Sequence, residues 1–288
     1  MTILGVGNSN GAISILHALG AGKGCSVGID IRTTVTLLDA EIDVDGDEHG
    51  LLDAVATCWR SQGLPIPSSY GWLVDSEVPI GQGLKSSSSV ACAALRALNT
   101  ASWAGLSDYE IADLAVAAQR NANCTVTGSL DDVWASLRPG WKLVDPMLSA
   151  SESVLLEGEL EHNLSVLIGL RGNRSSKIVP ELFREQGQFF ERAVASLTNG
   201  SPLEALSVNG MAVAAATDDH EALRISNLGI AIGAIAAGIT GSGPAMTFVC
   251  FSQDLESIQS NLSDYFTEVI TSNFSSAEVV TEEAHRWE

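Results

Sequence analysis

The sequence is short of positive charge, and above all of lysine. Its 288 residues include 15 lysines and arginines against 35 aspartates and glutamates, which gives a net charge of −20. Such a negative field repels nucleic acid and anionic membranes, so neither is expected as a partner. Only four of the basic residues are lysine. This depletion favours a halophilic protein in a high-salt cytoplasm over an ordinary acidic protein.

Long apolar runs, cysteine pairs and histidine clusters are also missing. No uninterrupted apolar stretch reaches membrane-spanning length, and the N-terminus has no basic region followed by an apolar block. The five cysteines form no C-x-x-C motif and the five histidines are dispersed, so neither a disulfide framework nor a zinc site is expected. With 45% hydrophobic residues the chain is not disordered. These absences predict a soluble, cytoplasmic protein with reduced thiols.

A loop rich in glycine and serine separates a predicted strand from a predicted helix. Residues 72–78 alternate as a strand does, and the apolar residues from 90 to 98 recur at helical spacing. A helix start offers unpaired N–H groups and a partial positive charge, and glycine lets the backbone approach an anion. The pattern predicts a phosphate-binding loop, or else a serine-rich helix cap, since no Walker spacing is present. The loop consists of Pro79, Ile80, Gly81, Gln82, Gly83, Leu84, Lys85, Ser86, Ser87, Ser88 and Ser89.

Two adjacent acids follow a glycine turn and open a helix-like run. They are Asp131 and Asp132, directly after the segment 127–130. A carboxylate here would orient or deprotonate an acceptor hydroxyl beside a phosphate site. The alternative is a pair of ordinary acids in the first turn of a helix, where they favour its dipole.

Two further loops carry residues that suit a small anionic ligand. Residues 171–177 hold three cations, and of these Arg171 and Arg174 are predicted from charge alone to bind a substrate carboxylate. Residues 238–245 form a second glycine loop that leads into an apolar strand. Together with the phosphate-binding loop and the two aspartates, these segments suit phosphoryl transfer, which needs positioning and charge neutralisation.

Periodicity and turn signals predict the remaining elements. Strands are predicted at 25–38, 164–170, 246–251 and 277–281, and helices at 51–59, 107–121, 180–197, 202–216, 219–235 and 254–265. Residues 11–19 fit either a strand or a helix. A change in composition after residues 139–146 indicates a boundary near residue 150.

These segments, in this order, resemble the GHMP kinase superfamily. The family motif P-x-x-x-G-L-G-S-S-A appears at 79–88, the C-terminal glycine motif appears at 240–245, and the catalytic aspartate matches Asp131. The resemblance is closer to one branch, the archaeal-type shikimate kinases. Their GLKSSSA-like loop, T-G-x-x-D-D segment and N-terminal G-K-G turn appear at 83–89, 127–132 and 22–24.

Two positions depart from the pattern. Ser89 stands where alanine is usual. Gln119 and Arg120 occupy the region where many superfamily members carry a magnesium-binding glutamate. The resemblance therefore leaves open which residues, beyond the serines of the loop, bind magnesium.

The resemblance implies an α+β fold of two lobes, with the active site in the cleft between them. The N-terminal lobe, residues 1–150, would bind ATP, and residues 151–288 would form the C-terminal lobe. The implied reaction transfers the γ-phosphoryl group of ATP to the 3-hydroxyl of shikimate. Residues 79–89 would hold the phosphates, and Ser86 or Ser87 would bind Mg²⁺.

The resemblance also implies roles for individual side chains. Asp131 would orient or deprotonate the hydroxyl, and Lys23 would stabilise the developing charge. The second glycine loop would contact the substrate through Gly241, Ser242 and Gly243. Two alternatives stay open, namely another kinase of the superfamily, such as a homoserine or mevalonate kinase, and a non-catalytic nucleotide-binding protein.

Overall fold

The computed structural model describes residues 1–42, 47, 49–125, 127–172 and 177–276. Nine strands and ten α-helices follow one another along this described part of the chain. The strands are β1 (Ile3–Leu16), β2 (Gly24–Leu38), β3 (Gly71–Ser76), β4 (Trp141–Val144), β5 (Val154–Gly158), β6 (Leu164–Leu170), β7 (Ala236–Ile239), β8 (Met246–Phe251) and β9 (Glu268–Asn273). The helices are α1 (Ala18–Ala21), α2 (Leu51–Ser61), α3 (Ser86–Ser102), α4 (Asp108–Asn121), α5 (Leu130–Leu137), α6 (Pro180–Glu185), α7 (Gly187–Thr198), α8 (Pro202–Ala216), α9 (His220–Ala231) and α10 (Leu255–Leu262).

The first sheet is built around the long strand β2. It pairs antiparallel with β1 along one edge, and with β4 and β3 at opposite ends of the other edge. β5 continues the sheet beyond β4. The odd-numbered residues of β2 from Val27 to Leu37 include its buried aliphatic side chains, as the alternating pattern predicts.

Helix α3 lies close against β1 because two glycines leave room for it. A Cβ at Gly5 would lie 2.3 Å from the Ala97 carbonyl oxygen, and one at Gly7 would lie 2.1 Å from the Ala93 carbonyl oxygen. Neither position tolerates a side chain while α3 stays in place. The close packing fixes the start of α3 at the end of the sheet where the candidate site lies.

The second sheet has four strands in the order β7-β8-β6-β9, all antiparallel. β6 is buried at every position, as its sequence, apolar except for Ser165, predicts. An apolar core joins this sheet and the helices over it to Ile13 and Ile15 of β1. β1 therefore belongs to the first sheet and shares the apolar core of the second. The first sheet extends to Gly158, and the boundary near residue 150 stays a prediction.

Several predicted elements differ from the structure at their ends. The helix expected at 180–197 is two helices, because Gln186 leaves the helical conformation between α6 and α7. The helix expected at 219–235 stops at Ala231, and Gly233 with φ +116° redirects the chain into β7. The ambiguous segment 11–19 is mostly the end of β1. The strand expected at 277–281 lies outside the described residues.

No helix among the described residues is long and apolar enough to cross a membrane. All five cysteines fall within the described part of the chain, and each of them is a free thiol.

Candidate active site

Three of the predicted segments meet at one open cavity of about 290 Å³, namely the phosphate-binding loop, the segment with the two aspartates and the second glycine loop. Its walls come from the phosphate-binding loop and the start of α3, from the segment that leads into α5, and from the second glycine loop. The end of β1 with the start of α1 and one residue near α6, Ile178, complete it. The cavity thus lies between elements of the N-terminal and C-terminal parts of the chain.

The phosphate-binding loop reaches α3 through three residues in the left-handed region. Gly81, Gly83 and Lys85 have φ of +73°, +82° and +69°. Lys85 is the N-cap residue of α3, and its side chain makes no capping hydrogen bond. The amides at the start of α3 are therefore left for another acceptor, which is the condition for anion binding at a helix start.

The missing side chain of Gly83 faces the second glycine loop. A Cβ at Gly83 would lie 2.2 Å from the Thr240 carbonyl oxygen. Thr240 Oγ1 in turn donates a hydrogen bond to the Gly83 carbonyl at 3.1 Å and accepts one from the Ser14 amide. Gly83 is required first for contact between the two loops, and only through that contact for the shape of the cavity.

The loop residues divide into those that line the cavity and those that do not. Gly81, Gly83, Lys85, Ser86 and Ser87 line it. The others of the predicted set do not line it. Ile80 is exposed, Pro79 is half-buried and Leu84 lies in the apolar core. The side chains of Gln82, Ser88 and Ser89 form hydrogen bonds elsewhere.

Asp131 and Asp132 occupy the first turn of α5 beside the phosphate-binding loop. Asp131 is 5% exposed, and a Cβ at Gly24 would lie 2.4 Å from its carboxylate, so the glycine after Lys23 makes room for it. Burial, and next the charge of Asp132, raise the pKa of Asp131 to about 7. Lys85 Nζ lies 2.9 Å from Asp132 Oδ1. A carboxyl group that titrates near neutral pH suits a general base.

A serine on β2 contacts both aspartates. Ser26 Oγ lies 2.9 Å from Asp131 Oδ2 and 2.8 Å from Asp132 Oδ1. The sequence analysis missed Ser26, although it follows the glycine–lysine–glycine turn by two positions. Ser26 alternates with the apolar Cys25 and Val27, so the strand pattern alone does not indicate that it is buried or that it contacts the aspartates.

The remaining predicted residues lie at different distances from this arrangement. Gly241 and Ser242 line the cavity, and Ser242 Oγ lies 3.0 Å from His17 Nε2. Gly243 and the half-buried Lys23 are not among the lining residues.

The cation-rich turn is only partly described. Arg171 does not line the cavity but forms a two-pronged ion pair with Asp219, the N-cap residue of α9. Burial raises the pKa of Asp219, but the hydrogen bonds from Arg171 and from the Ala222 amide outweigh it and leave that pKa lowered. Arg174 lies outside the described residues.

The donor atoms near the start of α3 are neutral oxygens. Ser87 Oγ donates a hydrogen bond to Gln119 Oε1 at 3.1 Å, which leaves its lone pairs directed elsewhere. No three acidic, histidine or cysteine side chains within the described ranges are grouped so as to hold a metal ion. Mg²⁺ is usually held by few protein ligands together with nucleotide phosphates and water. The serine hydroxyls fit a metal ion that arrives with a nucleotide.

Comparison with known proteins points to one family. Residues 51–140 match the family described as GHMP kinases N terminal domain. Shikimate kinases of several archaea are similar in sequence. The one from Pyrococcus abyssi is 28% identical over 292 residues, which span 93% of this chain and 98% of that protein.

Solved structures show the same fold at low sequence identity. Methanococcus jannaschii mevalonate kinase superposes with a TM-score of 0.74 at 15% identity, over 94% of this chain and 98% of that chain. MDDEF in complex with MVAPP, AMPPCP and magnesium has a TM-score of 0.70 at 15% identity, over 94% and 96%. The predicted α+β fold of the GHMP kinase type is confirmed. Residues 51–140 thus match the N-terminal domain of the GHMP kinases, the whole chain has the fold of those kinases, and over most of its length its sequence is similar to archaeal shikimate kinases.

Proposed function

We propose that this chain is a shikimate kinase, which converts ATP and shikimate to ADP and 3-phosphoshikimate. The observation that carries the proposal is one cavity that contains the start of α3, the buried Asp131 and the second glycine loop. Shikimate is proposed as the acceptor because the similar archaeal proteins are named shikimate kinase. The free cysteines fit a cytoplasmic enzyme of amino-acid biosynthesis.

The nucleotide phosphates would lie against the start of α3. The free amides there would donate hydrogen bonds to phosphate oxygens, and the glycines of the loop let the phosphates approach without a side chain in the way. Ser86 and Ser87 are the proposed Mg²⁺ ligands, and the ion would neutralise charge on the β- and γ-phosphates when bound. Lys23 is proposed to stabilise charge that develops during transfer.

Asp131 is the proposed base of the transfer step. Its carboxylate takes the proton of the shikimate 3-hydroxyl as that oxygen forms a bond to the γ-phosphorus. The bond from the γ-phosphorus to the bridging oxygen breaks, and its electron pair leaves with ADP. A pKa of about 7 leaves a substantial fraction of Asp131 ionised near neutral pH.

The acceptor side of the cavity is lined by small polar groups. Thr125, Thr127, Ser129 and Ser242 are among the lining residues, and the hydroxyls of Thr125 and Ser129 are hydrogen-bonded to each other. Such a wall suits a ligand with several hydroxyl groups, because each can donate and accept. It does not favour a largely apolar acceptor.

The carboxylate of shikimate needs a cation. Arg174 is proposed for this role on its charge and its place in the turn 171–177. Arg171 is a second candidate only if it exchanges its ion pair with Asp219 for the substrate.

A coupled ADP-release assay over a panel of acceptors tests the proposal. Shikimate, homoserine, mevalonate and galactose should be compared with Mg²⁺ and ATP at low and molar KCl. We expect turnover with shikimate alone. Preference for homoserine or mevalonate would make the chain a different kinase of the superfamily, and ATP binding without turnover on any acceptor would make it a non-catalytic protein.

A further inference from the structure

Two neighbouring carboxylates share one serine hydroxyl at the candidate active site. Ser26 is 1% exposed, and its Oγ lies within 2.9 Å of Asp131 Oδ2 and 2.8 Å of Asp132 Oδ1. A serine hydroxyl carries a single proton, so it donates to one of the two at a time. The other contacts of the aspartates determine which one.

The two aspartates differ in their other partners. Asp132 Oδ1 already receives a charge-assisted hydrogen bond from Lys85 Nζ at 2.9 Å. Among the described residues Asp131 forms no ion pair, and Ser26 is the one side chain there that donates a hydrogen bond to it. A buried carboxylate without a donor is strongly disfavoured in its charged form. A hydrogen bond from the Ser26 hydroxyl therefore stabilises the charged form of Asp131 more than that of Asp132.

We propose that Ser26 is a positioning residue of the phosphoryl transfer: its hydroxyl donates to Asp131 and keeps that carboxylate charged and oriented, while Lys85 neutralises Asp132. The inference rests on the proposed function for the reaction that uses Asp131. It also distinguishes the two acids. Asp132 is held in an ion pair by Lys85, whereas Asp131 receives the hydrogen bond of Ser26 and acts as the proton acceptor.

The other charged and titratable groups around Asp131 do not change the expected direction. Cys25 lies next to Ser26 on β2, and burial raises the pKa of its thiol well above its ordinary value. Lys142 on the adjacent strand β4 acts on Cys25 and is itself held near Pro139 and Glu157. Asp132 and Lys85, which lie 2.9 Å apart, act on Asp131 in opposite directions: the charge of Asp132 raises its pKa and the charge of Lys85 lowers it.

The test is the pH profile of kcat/KM for Ser26→Ala. Loss of the donor raises the pKa of Asp131, because the charged form loses its hydrogen bond. We expect the acidic limb to move up by about one pH unit, from about 7 to about 8. At pH 6.5 the variant should then be about eightfold slower than wild type, and at pH 9 nearly equal to it.

Two further variants keep the test decisive. Ser136→Ala removes a different buried hydroxyl, which lies on α5 and has no hydrogen-bond partner in the described part of the chain. This variant should leave the acidic limb of the pH profile unchanged. Ser26→Cys keeps a weaker donor of similar size, so its limb should fall between those of wild type and alanine. ATP affinity and melting temperature report whether each variant is folded.

A titration that needs no acceptor separates this inference from the proposed function. The ¹³C chemical shift of the Asp131 carboxyl, followed by NMR from pH 5 to 9, should move upward in midpoint in Ser26→Ala. An unchanged midpoint and an unchanged kinetic limb in folded Ser26→Ala would overturn the role of Ser26. Failure of wild type to phosphorylate shikimate would instead overturn the proposed function.

Discussion

The phosphate-binding loop 79–89 and the turn 171–177 are both sequence features that suggest an anionic ligand, but the structure treats them differently. The loop brings Gly81, Gly83 and Lys85 to the cavity in left-handed conformations, directly before α3. The turn begins with Arg171, whose guanidinium is bound by Asp219 away from the cavity lining. Glycine spacing before a helix constrains the backbone, whereas a cluster of charge does not specify its partner.

The largest expected effect concerns Asp131, beside the loop. Asp131→Asn should lose between about 10² and 10⁴ in kcat, because a positioned base contributes that much, while ATP affinity stays close to wild type. Single-turnover kinetics and nucleotide titration measure the two quantities. Asp132→Asn is the matched control and should be milder, since its carboxylate already pairs with Lys85. The reverse order would assign the base to Asp132.

Gly83→Val should abolish detectable ATP binding. The valine side chain would collide with the Thr240 carbonyl, and φ of +82° disfavours any β-branched residue. Isothermal titration calorimetry with an ATP analogue measures the loss. Gly105→Val is the control, because Gly105 also has positive φ but nothing within 4 Å of its Cβ position. Normal nucleotide affinity in folded Gly83→Val would contradict the role given to the loop.

Salt should act on the acidic surface more than on the buried site. Screening shortens from about 30 Å at 0.01 M salt to about 3 Å at 1 M, which relieves repulsion in a chain of net charge −20. Melting temperature and activity should both rise steeply from dilute buffer to molar KCl. Sulfate and chloride at equal ionic strength separate screening from solute exclusion. Flat curves from 0.1 M to 2 M KCl would mean that the acidity has another cause.

The smallest effect is expected at the turn. Arg171→Ala should lower stability by about 1–2 kcal/mol through the loss of its charge-assisted hydrogen bonds to Asp219, yet change the KM for shikimate less than about twofold. Arg224→Ala, which breaks the exposed pair with Glu221, should leave stability nearly unchanged. A tenfold rise in KM for Arg171→Ala would show that Arg171 exchanges Asp219 for the substrate.

Much of the fold follows from periodicity, and the failures have physical causes. β2 is long and alternating, and β6 is apolar except for Ser165, so both patterns predict a strand. β7 has only four residues, mostly alanine and glycine, and this pattern fits a strand and a helix equally well. Its strand conformation depends on hydrogen bonding to β8, which the local sequence does not show. The break between α6 and α7 falls at Gln186 and Gly187, and a single glycine inside a helical pattern does not by itself end a predicted helix.

The site could be predicted where local sequence constrains the backbone, and it could not be predicted where it depends on contacts between side chains that are distant in the sequence. The start of α3 and the two aspartates could be found because glycine turns and helix starts have local signatures. Ser26 could not, since its contact with Asp131 joins residues 105 positions apart. Nor does a count of charges show that Arg171 forms an ion pair with Asp219.

The most direct test of the whole account is the identity of the product and its dependence on Asp131. Purified protein should be incubated with ATP, Mg²⁺ and shikimate in molar KCl, and the product followed by ³¹P and ¹H NMR. The account predicts a phosphate on the 3-hydroxyl of shikimate, formed in equal amount to ADP and almost absent with Asp131→Asn that still binds ATP. Phosphate on another hydroxyl, or undiminished product with Asp131→Asn, would contradict it.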